Sequence, residues 1–133
     1  MSSSSQEALT DEDKALVVEL ILRGRTEEAL RILSEAFKVE PPRIRVGLPK
    51  GRSSALGVYD PKRRTIWVRN QKCFSDPRVV LHEFYHHIRF FAGRHRGTEK
   101  HANQFVQRFL EAYVRVKRSS ALPKTGAAAT QQR

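Results

Sequence analysis

The sequence predicts an α+β fold built from a helical hairpin, a small antiparallel sheet of about three strands, and two further helices. Apolar residues recur with helical periodicity before residue 38 and after residue 76. Between these regions, three short segments alternate apolar and polar side chains, as strands with one buried face do. The 133 residues suffice for one domain with a single modest core.

We expect this domain to span residues 9–118, between a disordered Ser-rich start (1–8) and a flexible tail (119–133). A hydrophobic fraction of 39% and a charged fraction of 29% are typical of a soluble globular protein. No apolar run approaches the roughly 20 residues that cross a bilayer, and the polar start is unlike a signal peptide. Because Cys73 is the only cysteine, no disulfide framework is expected, and a cytoplasmic location without a membrane partner follows as an expectation.

The chain is strongly basic, with a formal net charge of +11 and an isoelectric point near 10.5. Such a balance favours contact with nucleic acid or another polyanion through long-range attraction. The basic residues are scattered from Arg23 to Arg118, without a long run and without interleaved aromatic residues. A merely basic surface is therefore the alternative interpretation.

Two helices are predicted first. Thr10 is the N-cap of a helix that ends at Gly24 and carries three acidic residues in its first turn, where the helix dipole favours them. Thr26 is predicted to cap a second helix, from Glu27 to about Lys38. A DNA-reading helix-turn-helix is the alternative, but the second helix exposes several glutamates where a recognition helix needs basic and amide side chains. A packing hairpin is the better interpretation.

Three strands are predicted next, at Arg43–Val46, Leu56–Tyr59 and Thr65–Arg69, with Asp60–Arg64 as the hairpin turn between the last two. Basic residues in the loops are interpreted as solvated. The strand at Thr65–Arg69 is the candidate edge of a cleft, where an extended peptide could add as a further strand.

Two helices complete the predicted fold. Asp76 is the expected N-cap and Pro77 the first residue of the central helix, which ends at Gly93. After a short loop, Thr98 is predicted to cap a last helix from Glu99 to about Arg118.

The central helix carries the pattern His82-Glu83-x-x-His86. A helix turns about 100° per residue, so the two imidazoles lie within roughly 40° of each other and Glu83 lies beside them. An apolar stripe occupies the other side of the helix and consists of Leu81, Phe84, Ile88 and Phe91. The helix can therefore anchor in a core and present metal ligands to a cleft. The alternative is a buried helix whose histidines bond to backbone carbonyls.

Glu99 heads the apolar face of the last helix, and an unpaired buried carboxylate is costly unless it binds a partner such as a metal. Catalytic zinc takes three protein ligands, and two histidines with one glutamate form a known set. Asn103, one turn further on the same face, is placed to bond the free ring nitrogen of a ligand histidine. The alternative for Glu99 is an ordinary first-turn acid favoured by the helix dipole.

Two motifs in this order resemble the ImmA/IrrE-type metallopeptidases, which are gluzincins. These are Trp67-Val68-Arg69-Asn70 leading into Val80-Leu81-His82-Glu83-x-x-His86, and Glu99-x-x-Ala102-Asn103-x-Phe105. The resemblance covers about residues 56–115. It implies a zincin-like fold, with one zinc ion per chain held by His82, His86 and Glu99 between the two last helices. It further implies that Glu83 is the general base that activates a zinc-bound water.

A rival resemblance is to the SprT-like metalloproteases, whose third ligand is a histidine and which act near DNA. His101, with Phe105 four residues later, lies at a similar spacing from His86. The basic charge would suit that class. We prefer Glu99 because His101 falls on the polar face of the last helix if Thr98 caps it.

Other candidates are weaker. His95, in the loop before the last helix, and Tyr85, beside the ligand face, are candidates for stabilising an oxyanion. His87 is interpreted as a packed histidine. Cys73 is interpreted as a small buried residue, with a regulatory thiol as the alternative.

The preferred function is zinc-dependent hydrolysis of peptide bonds in a protein or peptide substrate, with Glu83 passing the proton of the water to the leaving amine. Two alternatives remain. One is a zincin-fold module that binds a metal or a partner without hydrolysis. The other is a basic nucleic-acid-associated protein, among which a SprT-like protease is included.

Overall fold

The computed structural model describes residues 9–51, 55–91 and 99–121. The helices are α1 (Asp11–Leu22), α2 (Thr26–Phe37), α3 (Gln71–Phe74), α4 (Pro77–Phe91) and α5 (Glu99–Ala121). The strands are β1 (Arg43–Val46), β2 (Gly57–Asp60) and β3 (Thr65–Val68). Five helices and one three-stranded sheet in these residues confirm the predicted α+β class.

Some sequence predictions lie outside the described residues. These concern the start at 1–8, Gly93 as a helix end, His95, the Thr98 cap, and the part of the tail beyond residue 121. Within the described part, α5 continues a few residues past the predicted end near Arg118.

Helix α1 begins with the predicted cap. The Thr10 hydroxyl accepts a hydrogen bond from the Asp13 backbone N–H at 3.1 Å, and the Asp13 carboxylate accepts one from the Thr10 N–H at 3.2 Å. This reciprocal pair satisfies two backbone donors at the helix start. The buried side of α1 packs against α2 and α5.

The prediction that Thr26 caps α2 is wrong. Thr26 is the first helical residue, and Arg25 occupies the cap position without a side-chain hydrogen bond that caps a backbone N–H of the helix. The Thr26 side chain is fully buried, and its hydroxyl donates instead to the Phe74 carbonyl of α3 at 2.7 Å. The hydroxyl therefore links α2 to α3, because a buried hydroxyl needs a partner and this carbonyl is within reach.

The sheet is mixed, so the prediction of an antiparallel sheet is wrong. Its strand order is β1-β3-β2; β2 pairs antiparallel with β3, and β1 pairs parallel with β3. The predicted turn between β2 and β3 is present, with the Asp60 carboxylate accepting the backbone N–H groups of Lys62 and Arg63. That tight hairpin occupies one edge of β3. Strand β1 occupies the other edge of β3 and runs in the same direction as β3.

The central position of β3 also corrects the expected cleft edge. Both edges of β3 are paired, so it cannot accept a further strand. The strand that lines the cavity described below is β2, and its edge away from β3 pairs with no other strand of the described residues.

Helix α3 was not predicted. The Asn70 side chain caps it by accepting the Cys73 backbone N–H at 2.9 Å, and Cys73 itself is buried. One turn later α4 begins at Pro77 as predicted, and the Asp76 carboxylate accepts the Arg78 N–H at 3.0 Å.

The core lies where α4 packs between the sheet and α5. Helix α4 contacts β2 and β3 on one side and α5 on the other, and α5 also packs along α1. The largest fully buried side chains include Phe84, Leu30, Leu33, Ile66 and Leu81. None of the described helices is both long and apolar enough to cross a membrane.

Candidate metal centre

His82 and His86 lie one turn apart on the side of α4 that faces the start of α5. Their ring centroids are 5.1 Å apart. The Nε2 atom of His82 lies 2.9 Å from Oε1 of Glu99, and the Nε2 atom of His86 lies 3.3 Å from Oε2 of the same carboxylate. Two imidazole nitrogens and one carboxylate therefore converge, and the helical spacing had predicted the pair of imidazoles.

These atoms fit a divalent metal ion. One ligand atom from each residue lies within 4.8 Å of the other two. Tetrahedral zinc with ligands at 2.0–2.1 Å separates neighbouring ligand atoms by about 3.3 Å, so the observed distances require only small adjustments. The donor set of two nitrogens and one oxygen is among those that catalytic zinc uses. The cluster can thus hold a metal ion between α4 and α5.

The alternative prediction placed His101 in the third ligand position. His101 is exposed on α5. Within the described residues, the group that could hold a metal consists of His82, His86 and Glu99. The geometry therefore favours the glutamate.

Glu83 lies beside the ligands and lines the same cavity, which has a volume of about 280 Å³. Its side chain is buried, and no hydrogen bond or ion pair joins its carboxylate to another described residue. Burial, with a smaller contribution from the Glu99 charge, raises the pKa of Glu83 to about 7. A carboxyl group in this setting can both accept and release a proton near neutral pH.

Gly57 of β2 packs directly over Glu83. A Cβ atom placed on Gly57 would lie 2.8 Å from Cγ1 of Val79 and 3.2 Å from Cγ of Glu83, both on α4. The missing side chain therefore allows the edge strand to approach the helix closely. This contact forms the cavity wall opposite α5.

A hydrogen-bond chain joins β2 to α4 next to the potential metal ligands. The Nε2 atom of His87 lies 2.7 Å from the Glu40 carbonyl oxygen, which can only accept, so Nε2 carries the proton. The Nδ1 atom therefore accepts from the Tyr59 hydroxyl at 2.6 Å. Burial is the main cause that lowers the pKa of His87, which stays neutral, and burial raises the pKa of Tyr59 to about 12.

The Tyr59 contact was missed by sequence reasoning, although His87 was correctly interpreted as a packed histidine. His87 is fully buried, and Tyr59 lines the cavity. Strand alternation places Tyr59 on the same face as Gly57. This alternation predicts that Tyr59 contacts α4 only when it is combined with the packing of β2 beside α4.

Two other predicted site residues, Tyr85 and Asn103, are not part of the cavity lining. Tyr85 packs its ring on Phe105 of α5, with centroids 5.6 Å apart. Asn103 is exposed, although it was predicted to share the buried face of the last helix. Their proposed roles stay predictions.

Part of the cavity lining is apolar. Ala55, Pro61 and Phe90 contribute to this part, and Phe90 is 46% exposed. The lining also includes the potential ligands and Glu83. The cavity therefore combines apolar groups with polar groups.

Comparisons of this chain with protein-family models, with curated proteins and with solved structures found no match. The functional inference therefore depends on the geometry of the site.

Proposed function

We propose that this protein is a zinc-dependent metallopeptidase that hydrolyses peptide bonds in a protein or peptide substrate. The observation that carries the proposal is the convergence of His82, His86 and Glu99 at ligand distance, with Glu83 in the same cavity. One zinc ion per chain, when bound there, would polarise a substrate carbonyl and lower the pKa of water. The proposal includes a zincin-like fold and agrees with the ImmA/IrrE-type resemblance of the two motifs.

Glu83 is the proposed general base. Its carboxylate accepts a proton from the attacking water and then delivers that proton to the leaving amine. Two features support this role. The carboxylate lines the cavity beside the potential ligands. It also makes no hydrogen bond to another described residue, so it can accept one from a water molecule. The Gly57 backbone, packed over Glu83, limits how far the side chain can move.

Strand β2 is the proposed docking edge for the substrate. The Arg69 N–H donates to the Leu56 carbonyl at 2.9 Å, so by the alternation of an antiparallel ladder the backbone groups of Gly57 and Tyr59 point away from β3. An extended peptide can bond to these groups as an added strand. It would then pass along the potential ligands and near Phe90, which also lines the cavity.

Metal content tests the ligand set. Elemental analysis of purified wild type should give about one zinc per chain, and Glu99→Ala should lose it. Glu111→Ala makes the same change at an exposed position further along α5 and should retain the zinc. Loss with His101→Ala but not with Glu99→Ala would favour the SprT-like class. No zinc in wild type after zinc has been supplied would refute the site.

Turnover tests the catalytic role. Hydrolysis of a casein or a peptide library should require zinc, and Glu83→Gln should lower it by about 10²- to 10⁴-fold while the zinc content stays the same. An inert wild type with a full complement of zinc would favour the metal-binding module without hydrolysis. Loss of zinc in Glu83→Gln would show that Glu83 has a structural role.

A further inference from the structure

The face of the sheet that points away from α4 brings two arginines of β1 next to a tryptophan and an arginine from the region of β3. On this face, Arg45 of β1, Trp67 of β3 and Val58 of β2 lie in one row across the three strands. Arg43 lies two residues before Arg45 on β1 and therefore points to the same face. We call Arg43, Arg45, Trp67 and Arg69 the arginine–tryptophan face.

The orientation of this face follows from strand alternation. Tyr59 pairs with Ile66, and the Tyr59 hydroxyl bonds to His87 of α4, so the row that contains these residues faces the helix. Successive side chains of a strand point to opposite faces. The neighbouring row with Trp67 therefore points away from α4. Arg69 shares that face, because its N–H continues the β2–β3 ladder to Leu56.

The arginines of this face are available to a ligand. Arg43, Arg45 and Arg69 are exposed, and the ion pairs found among the described residues involve none of them. The acid closest in register is Asp60, whose carboxylate accepts backbone N–H groups of the turn. The face therefore concentrates positive charge in a protein that already carries +11.

Trp67 gives the face an apolar centre. It is partly exposed, with Arg45 on one side and Val58 on the other. Its indole Nε1 is buried and has no hydrogen-bond partner among the described residues, so the exposed part of the ring is carbon. An exposed aromatic carbon surface beside guanidinium groups is suited to stack a planar ligand that also carries negative charge.

We propose that the arginine–tryptophan face binds single-stranded nucleic acid, with a base stacked on Trp67 and phosphates contacted by the arginines. A single strand can offer an unstacked base to the ring, whereas the bases of a duplex are already stacked and paired. The sheet separates this face from the metal ligands, which lie on the α4 side. The inference therefore goes beyond the proposed peptidase activity and does not require it.

Intrinsic fluorescence provides a direct test, because Trp67 is the only tryptophan in the chain. Titration of metal-free full-length protein with a short oligothymidylate at low salt should quench its emission to saturation. Three phosphate contacts to a single strand predict a slope of about −2 in a plot of log affinity against log salt concentration. Binding without any change in the Trp67 emission would overturn the assignment of this face.

Variants localise the binding. Arg45→Gln should lower the affinity and reduce the magnitude of the salt slope, whereas Arg108→Gln, the same change at an exposed position on α5, should alter both much less. Trp67→Ala, followed through a labelled oligonucleotide and checked for folding by circular dichroism, should weaken binding about fivefold to hundredfold. Equal losses in Arg45→Gln and Arg108→Gln would mean unspecific attraction to the net charge and overturn the proposal.

Competitors distinguish the class of partner. The oligothymidylate should displace bound label better than a duplex of the same length or heparin at equal charge. A preference for heparin, for the duplex or for anionic lipid vesicles would overturn the single-strand proposal. Because these measurements use metal-free protein, their outcome is independent of whether the metal site is catalytic.

Discussion

Helices α4 and α5 both supply the candidate metal centre, but they hold their ligands in different ways. On α4 the potential ligand side chains are well covered, with exposures of 20% for His82 and 10% for His86. On α5 the potential ligand Glu99 is 73% exposed and lies in the first turn, while the buried positions begin at Ala102.

Because of this difference in burial, the stability of the fold and the affinity for a metal can be changed separately. Changes on α4 disturb a helix enclosed by the sheet and α5, so they should affect folding and the site together. Changes at Glu99 should affect the site alone, because an exposed side chain contributes little to packing. The two helices can therefore be tested one at a time.

The largest effect is expected at Phe84, whose fully buried ring packs against Phe37 and His87 behind the ligands. Phe84→Ala should lower the free energy of unfolding by about 3–5 kcal/mol, through lost burial and the cavity left behind. Glu99→Ala should change it by less than about 0.5 kcal/mol in the metal-free protein. Urea unfolding with the metal chelated measures both.

Zinc addition sharpens the same contrast. A ligand that binds only the folded state at a hundredfold excess over its Kd adds about 2.7 kcal/mol of stability. Wild type should gain this increment and Glu99→Ala should not. If Glu99→Ala destabilised the metal-free protein as much as Phe84→Ala, the separation between the two helices would be wrong.

The second effect concerns the strand that packs on α4. Gly57→Ala should destabilise the protein by about 1–3 kcal/mol, because the new Cβ would lie 2.8 Å from Cγ1 of Val79. The double variant with Val79→Ala removes that methyl group and should lose less stability than the sum of the two single changes. Additive losses, measured by urea unfolding, would show that the close approach is not the cause.

The helices could be predicted from sequence because their signals are local. Thr10 with Asp13, and Asp76 with Pro77, specify helix starts within a few residues. The parallel pairing of β1 with β3 depends on a connection whose course no local pattern records, which is why an antiparallel sheet was predicted instead. The prediction of Thr26 as the N-cap of α2 failed for the same reason, because its hydroxyl bonds to the Phe74 carbonyl, 48 residues away.

The site residues likewise differ in whether a local sequence pattern or only the packing of distant elements predicts them. His82, Glu83 and His86 follow from helical spacing. Glu99 was predicted as a carboxylate whose burial would need a partner, yet it is 73% exposed, so its place beside the histidines did not follow from that argument. The residues that β2 contributes, among them Tyr59, follow only from the packing of the strand on α4. The arginine–tryptophan face was likewise hidden, because strand pairing brings together residues that the sequence scatters.

The third effect is smaller and tests the chain from Tyr59 through His87 to the Glu40 carbonyl. Tyr59→Phe removes one hydroxyl and leaves the His87 Nδ1 without its donor, so the free energy of unfolding should fall by about 0.5–1.5 kcal/mol. Tyr113→Phe, which removes the hydroxyl that donates to Glu19 near the surface, is the control and should cost less. Equal losses of unfolding free energy in the two variants would mean that the buried hydrogen bond to His87 stabilises the fold no more than the bond of Tyr113 to Glu19 does.

The smallest effect concerns the contact between α5 and α1, away from the potential metal ligands. Arg115 donates two hydrogen bonds to the Asp11 carboxylate, at 3.0 and 3.1 Å, and they are the main cause that lowers the pKa of Asp11 below its ordinary value of 3.8. A lowered carboxyl pKa adds stability that is fully present above the unfolded value and is lost as the pH falls through the folded value. The stability difference between wild type and Asp11→Asn should therefore shrink as the pH is lowered from 7 to about 3. Glu12→Gln makes the same charge change in the same turn without an arginine partner, so an equal pH dependence in both variants would assign the effect to the helix dipole instead of to Arg115.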